Sequence, residues 1–284
     1  MINLMFCGNS KIFDGILIAL LSIAKNTKEP LSVYVLTMDL TRINMDFTPI
    51  TESQRKILEK KIQEKNINNK VNLIDVTDIF ENEMSKSTNI KTHYTPYIFI
   101  RLLSDEVSNL PGKILYLDCD IVCYGDIGEI YETDMDGYEI AASLDYIGRK
   151  MINPKYMNSG VVLMNLDLIK KTGSFKVARQ LCIKKRMVLP DQTALNKACK
   201  NKLWLPDKYN EQKKRRGDTL IRHFSMAIEL FPVFHLQNIK PWQVEKVHKT
   251  YKIYDYEDII EEYKETKKLM DEKTNIENEL VQET

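Results

Sequence analysis

The N-terminal part of the chain alternates short apolar runs with helix-length segments, and that order leaves few folds open. Ile2–Cys7, Leu31–Thr37 and Val71–Asp75 read as strands. Between them lie a helix from Phe13 to Lys25 and a second beginning at Thr51-Glu-Ser-Gln-Arg-Lys-Ile-Leu-Glu-Lys-Lys-Ile62. A β-α-β-α-β order predicts a mostly parallel, doubly wound α/β sheet, because parallel neighbours need a crossover and the crossing helices cover the faces. Asp14 is placed as N-cap of the first helix. Ile114–Leu117 continues the sheet, with further strands predicted at Glu139–Leu144, Gly160–Asn165 and Thr219–Phe224. Helices are predicted near Phe175–Lys185 and Asp191–Lys200.

The strand Lys113-Ile-Leu-Tyr-Leu117 runs straight into Asp118-Cys119-Asp120. Side chains alternate along an extended chain, so the two carboxylates are expected on one side of the strand's C-terminal end. They repel unless a cation lies between them, and hard divalent cations take oxygen ligands of this kind. The carboxyl ends of strands are also where an open α/β sheet collects ligands. Asp-x-Asp arises as well in turns and helix caps; the buried strand before it favours a metal holding a phosphorylated ligand.

At 284 residues the chain can form one large domain, or one domain with an appendage. Its 43% hydrophobic and 29% charged content is ordinary for a soluble protein, and a net charge of +1 predicts no nucleic-acid partner. Five cysteines have no paired metal spacing, and Cys7, Cys119 and Cys123 sit in or beside apolar runs, which predicts reduced thiols and a cytoplasmic location. No secretory leader is read before the Asn3–Cys7 strand, and Gly15–Ala24 is too short to span a bilayer. After Trp242 the pattern changes. Tyr256, Ile259, Ile260, Tyr263 and Met270 fall at helical spacing among Glu and Lys, which predicts an amphipathic helix packed on the body; a membrane-surface or partner-binding helix is the alternative. The last ten residues are expected to fray. Lys213-Lys-Arg-Arg216 reads as a solvated loop, or as a peripheral contact with an anionic membrane or a lipid-phosphate acceptor.

Four segments, in order, resemble glycosyltransferase family 8, the group containing glycogenin and the lipooligosaccharide galactosyltransferases. They are Ile114-Leu-Tyr-Leu-Asp-Cys-Asp120, Asn158-Ser-Gly-Val-Val-Leu-Met-Asn-Leu166, Asp191-Gln192 and Lys240-Pro-Trp242. The resemblance covers residues 1–243. It implies a GT-A-like nucleotide-sugar-binding fold over 1–243, with residues 244–284 as a charged helical extension. It implies further that Asp118 and Asp120 hold Mn²⁺, or Mg²⁺, against the diphosphate of a UDP-sugar, with Lys240 supporting that diphosphate. A histidine completes the metal site in this family. His223, in Leu220-Ile-Arg-His-Phe-Ser225, is favoured, with residues 226–234 read as an inserted loop; His235 is the alternative, one residue closer to Lys240 than the usual spacing.

By the same resemblance, Cys7 and Asn9 sit where the family contacts the base, with Asn9 standing where many members carry aspartate. His93 begins a helix that ends in a donor-binding Arg101. Cys119 belongs to the donor site, and Asp145, Asn158, Ser159 and Gly160 border the donor sugar. Asp191 bonds its hydroxyls, and Gln192 sits near the anomeric carbon. The function implied is a retaining, metal-dependent transfer of glucose or galactose to a saccharide or lipid-linked glycan in bacterial surface polysaccharide synthesis. Asp145 or Asp191 would serve a double displacement; otherwise the leaving phosphate helps deprotonate the acceptor at the front face. A sugar nucleotidyltransferase and a non-catalytic relative are the rival readings. The first should show a Gly-rich loop after the first strand, where Cys7-Gly-Asn-Ser-Lys11 has one glycine.

Overall fold

The computed structural model describes residues 1–90, 94–229 and 235–282; for 227–229, 235–237 and 273–282 it describes the backbone. His93 lies outside the described residues. The strands are β1 (Ile2–Cys7), β2 (Leu31–Thr37), β3 (Lys70–Asp75), β4 (Lys113–Leu117), β5 (Ile121–Cys123), β6 (Ile140–Leu144), β7 (Met157–Asn165), β8 (Lys202–Trp204), β9 (Ile221–His223), β10 (Ala227–Glu229) and β11 (His235–Gln237). The helices are α1 (Phe13–Asn26), α2 (Glu52–Gln63), α3 (Thr77–Met84), α4 (Gly128–Tyr131), α5 (Gly148–Met151), α6 (Leu166–Thr172), α7 (Ser174–Lys184), α8 (Pro190–Ala198), α9 (Val244–Lys246) and α10 (Glu257–Gln282).

Seven strands form the central sheet in the order β3-β2-β1-β4-β7-β6-β8. Pairings from β3 through β4 are parallel, as the alternating order predicts; β7 runs antiparallel to both β4 and β6. That reversal positions the site. Leu117 pairs with Val161, so the first residues of β7 lie beside the C-terminal end of β4. The period of two sorts side chains cleanly between the faces. Leu4, Phe6, Leu115, Leu117, Val161 and Leu163 pack under α1, while Met5, Ile114, Tyr116, Val162 and Met164 face a second cluster with α7 and α8. Each fully buried Leu or Phe contributes about 1.5–3 kcal/mol.

α1 is buried on nearly every side, as its apolar run requires. It starts at Phe13, as expected, directly from a 3₁₀ turn at Ser10–Ile12. Asp14 therefore sits in the first turn rather than at the cap, where its charge complements the helix dipole and pairs with Lys267 at 3.0 Å. α2 begins where the sequence predicts, with a reciprocal capping box between Thr51 and Gln54. Tyr256, Ile259 and Ile260 bury the start of α10 against the core that includes α1. The helix continues to Gln282, past the point where fraying is expected, in a stretch rich in helix-favouring Glu. No described helix is long and apolar enough to cross a membrane.

Two predicted features differ. The 226–234 segment contributes to a hairpin, with Ala227 paired to Gln237, while residues 230–234 lie outside the described set. The predicted strand at Thr219–Phe224 is shorter, and it leaves the main sheet to pair with β5.

Candidate active site

β4 stops at Leu117, so strand alternation does not reach Asp118 and Asp120; the chain bends there and resumes as β5 in a different sheet. The two carboxylates converge for another reason. β5 pairs antiparallel with β9, setting Ile121 opposite His223, and Phe224 donates its N–H to the Asp120 carbonyl at 2.8 Å. His223 Nε2 then lies 3.2 Å from Asp120 Oδ1 and 3.6 Å from Asp118 Oδ2. Asp118, Asp120 and His223 each bring one ligand atom to a common point, all within 4.8 Å of one another. His235 lies in β11, and its side chain is outside the described residues.

The orientation of His223 is set from behind. Its Nδ1 lies 3.0 Å from Asn210 Oδ1. Asn210 Nδ2 donates to Asn158 Oδ1, which also accepts the Gly160 N–H, each at 2.9 Å. Asn158 Nδ2 donates onward to Asp145 Oδ2 at 2.8 Å. With both amides fixed in direction, Asn210 Oδ1 can only accept, so Nδ1 carries the proton and Nε2 turns a lone pair toward the carboxylates. Two carboxylate oxygens and one neutral imidazole nitrogen could hold a divalent cation. Gly160 makes the close approach possible: a Cβ there would lie 2.2 Å from His223 Cε1 and 2.9 Å from Asp118 Oδ2.

Two cationic side chains flank the donors. Lys240 Nζ donates to Asp120 Oδ2 at 2.5 Å and to the Phe224 carbonyl at 3.3 Å. Burial works to raise the Asp120 pKa, but the Lys240 ammonium holds it well below the usual carboxylate range. Burial likewise opposes the Lys240 charge, and Asp120 outweighs it, so the ammonium pKa is raised. The strand-side partner is Arg101, in a 3₁₀ segment over Pro96–Leu103; it sits inside that segment rather than ending a helix as predicted. Arg101 stacks 4.2 Å from the Tyr116 ring centroid and donates to Asp118 Oδ1 at 2.9 Å and to the Ser159 carbonyl at 2.5 Å. Its Nε is 3.4 Å from Asp191 Oδ2. Burial raises the Asp191 pKa, with Arg101 opposing it.

A wall of polar groups closes the other side. Asp145 Oδ1 accepts the Ile147 and Gly148 N–H groups, and its Oδ2 accepts from Asn158 and from Gln192 Nε2. Gln192 Oε1 accepts the N–H and the hydroxyl of Ser159 at 3.0 and 3.1 Å. Arg101, Asp118, Asp120, Asp145, Asn158, Ser159, Gly160, Asp191, Gln192, His223 and Lys240 are thus brought into one connected cluster. Cys7 ends β1, and burial pushes its thiol up. Asn9 is buried beside the Tyr97 phenol, and Cys119 lies against Gly15 of α1. Three participants escape the sequence reading: Tyr116, whose hydroxyl donates to Asp118 Oδ1 at 2.5 Å, and Asn210 and Gln212. Tyr116 was findable, since a tyrosine inside a buried strand needs a partner for its hydroxyl.

A mixed sheet of this topology, with a carboxylate pair and basic groups at the strand ends, is a GT-A-like glycosyltransferase. The chain belongs to glycosyl transferase family 8, whose model matches residues 3–246. It is 29% identical over 171 residues to a probable glycosyl transferase Gly of Streptococcus gordonii, covering 57% of this chain and 24% of that protein. It is 28% identical over 176 residues to a lipopolysaccharide 1,3-galactosyltransferase of Salmonella typhimurium, covering 55% and 51%. The chain therefore spans from a quarter to about half the length of these relatives. Among solved structures, an active-site mutant of LgtC superposes with a TM-score of 0.68 at 17% identity, over 92% of this chain and 94% of that one. The galactosyltransferase LgtC with donor and acceptor sugar analogs gives 0.62 at 17% identity, over 93% and 96%. At that identity the likeness shows the fold.

Proposed function

We propose that this glycosyltransferase moves a hexose, with retention, from UDP-glucose or UDP-galactose to a hydroxyl of a saccharide or lipid-linked glycan. The observation that carries the reading is the Asp118, Asp120 and His223 donor set with the His223 tautomer locked and Lys240 beside it. Mn²⁺, or Mg²⁺, bound there would supply electrostatic stabilisation to the departing diphosphate. Lys240 holds the same diphosphate as a point charge, and Arg101 keeps Asp118 in place. Cys7 and Asn9 line the base end, with Cys119 between the two aspartates. Asn158, Ser159, Gly160 and Asp191 border the donor sugar, and Asp145 and Gln192 lie under its anomeric carbon.

In the transfer, the bond from the anomeric carbon to the diphosphate oxygen breaks and one to the acceptor oxygen forms. The acceptor proton passes to the leaving phosphate oxygen, and UDP departs. Front-face displacement is supported by Asp145, whose two oxygens already accept four hydrogen bonds, which blunts it as a nucleophile. The names of the lipopolysaccharide glycosyltransferase relatives support a bacterial surface glycan as product. The five cysteines, all free, fit a reducing compartment. Residues 1–243 act as the catalytic unit, and 244–284 as its extension.

A donor panel tests this. Purified protein is expected to release UDP from one or two UDP-hexoses with Mn²⁺ and to stop in EDTA. Undiminished release in EDTA, or release of a different nucleotide, contradicts the reading.

A further inference from the structure

Beside Asn210 lies a cavity of about 330 Å³, open to solvent between the loop after β6 and the segment leading to β9. Gln212 ties its two sides together. Its Oε1 accepts the Tyr146 N–H at 3.0 Å and faces Asn158 Nδ2 at 3.5 Å, and its Nε2 donates to the Leu144 carbonyl at 3.0 Å. Asn210 and Gln212 line the cavity, and both reach Asn158, a residue proposed to border the donor sugar.

Its charge is one-sided. Arg149, Lys213, Lys214 and Arg216 line it against two carboxylates, Asp207 and Glu211. Those carboxylates are taken by Arg149 at 3.7 Å and by Arg216 at 3.1 Å. Among the described residues Lys213, Lys214 and the neighbouring Lys150 have no carboxylate within ion-pair reach. Two of these lysines are nevertheless held in place. Lys213 Nζ lies 3.6 Å and Lys150 Nζ 4.4 Å from the Tyr146 ring centroid, and Lys150 also donates to the phenol oxygen at 3.0 Å. Hydrogen bonding to Lys213, then to Lys150, pulls the Tyr146 phenol down to about 8. Ammonium groups fixed before binding cost less to order when an anion arrives. A flat membrane contact fits less well, because Arg215 is already paired with Asp255 at 2.9 Å and Arg216 with Glu211.

We infer that this cavity receives the acceptor, and that the acceptor carries an oxyanion, carboxylate or phosphate, held by Lys213, Lys214 and Lys150. The inference rests on the proposed function and adds the chemical class of the acceptor.

The test is calorimetric titration of the full chain, with UDP and Mn²⁺ present. The probes are methyl glucoside, methyl glucuronide and methyl glucoside 6-phosphate, with a polyprenyl diphosphate-linked glucose in vesicles as a further arm. The anionic probes are expected to bind at least ten-fold tighter than the neutral one. That preference should shrink with added salt and disappear in the Lys213→Ala/Lys214→Ala double variant, whose exposed positions leave folding intact. Tyr146→Phe, which removes the phenol contact to Lys150, should reduce it partially. Tight binding of the soluble acids places the charge on the sugar, and tight binding of the vesicle probe alone places it on the lipid phosphate; either supports the inference. Equal affinity for neutral and anionic probes, a preference that survives the double variant, or no binding by any probe overturns it. UDP binding with Mn²⁺ in the same samples reports separately on the proposed function.

Discussion

Gly160→Ala is expected to lower donor turnover by at least ~10²-fold, the scale of a displacement of about 1 Å at reacting groups. The added methyl would sit 2.2 Å from His223 Cε1, 2.7 Å from its Nδ1 and 2.9 Å from Asp118 Oδ2. Neither neighbour has room to yield. The ring is pinned through Nδ1 to Asn210 and through its backbone to β5, and Asp118 is held by Arg101 and Tyr116. The clash therefore falls on the side chains proposed to hold the cation. Overpacking of this kind also destabilises the fold by about 1–3 kcal/mol. UDP release and a urea titration on the same protein check both effects. Turnover within a few-fold of the parent would mean that His223 and Asp118 do not need this geometry.

Arg179→Ala is expected to cost about 3–5 kcal/mol of stability, toward the lower end of that range for a broken buried ion pair. Arg179 is 1% exposed, and it reaches Glu83, Asp105, Glu106 and the Leu102 carbonyl, the last at 2.6 Å. The side chains of Glu83 and Glu106 are 38% and 43% exposed, so water takes over their charge once the arginine is gone. Asp105, at 6%, and the Leu102 carbonyl have no such recourse. Leu102 follows Arg101, so the same arginine braces the segment that reaches the active site. Burial already raises the Asp105 pKa, with Arg179 opposing it, and removing the arginine raises it further. A carboxyl whose folded pKa exceeds its unfolded value binds its proton more readily in the folded state. The loss should therefore shrink as pH falls into the range where Asp105 protonates, and be complete above it. Denaturant midpoints at several pH values test this; a shift below about 1 kcal/mol at neutral pH would show that the cluster is held by its surroundings instead.

The sheet was legible in the sequence because its first four strands are long enough to show apolar runs and the helices between them are amphipathic or wholly buried. The Asp118-Cys119-Asp120 segment stood out for the same reason: a buried strand should not end in two carboxylates without cause. What escaped lies in pieces too short for periodicity. β5 and β9 are three residues each, yet their pairing is what carries His223 to Asp120. Asn210 and Gln212 sit in irregular chain before β9, where no spacing marks a polar residue as a brace. The basic run at 213–216 read as one feature and is two: Arg215 and Arg216 are spent on local carboxylates, while Lys213 turns onto Tyr146. Partner choice of that kind is fixed by residues distant in sequence, such as Asp255.

In the proposed function Asp118, Asp120 and His223 bind a divalent cation through which UDP is held. Calorimetric titration of UDP into the protein, once with Mn²⁺ and once with EDTA, tests it most directly, with Asp120→Asn run alongside. Binding is expected to require Mn²⁺ and to be lost in the variant. UDP binding that is equal in EDTA, or unchanged by Asp120→Asn, would contradict it.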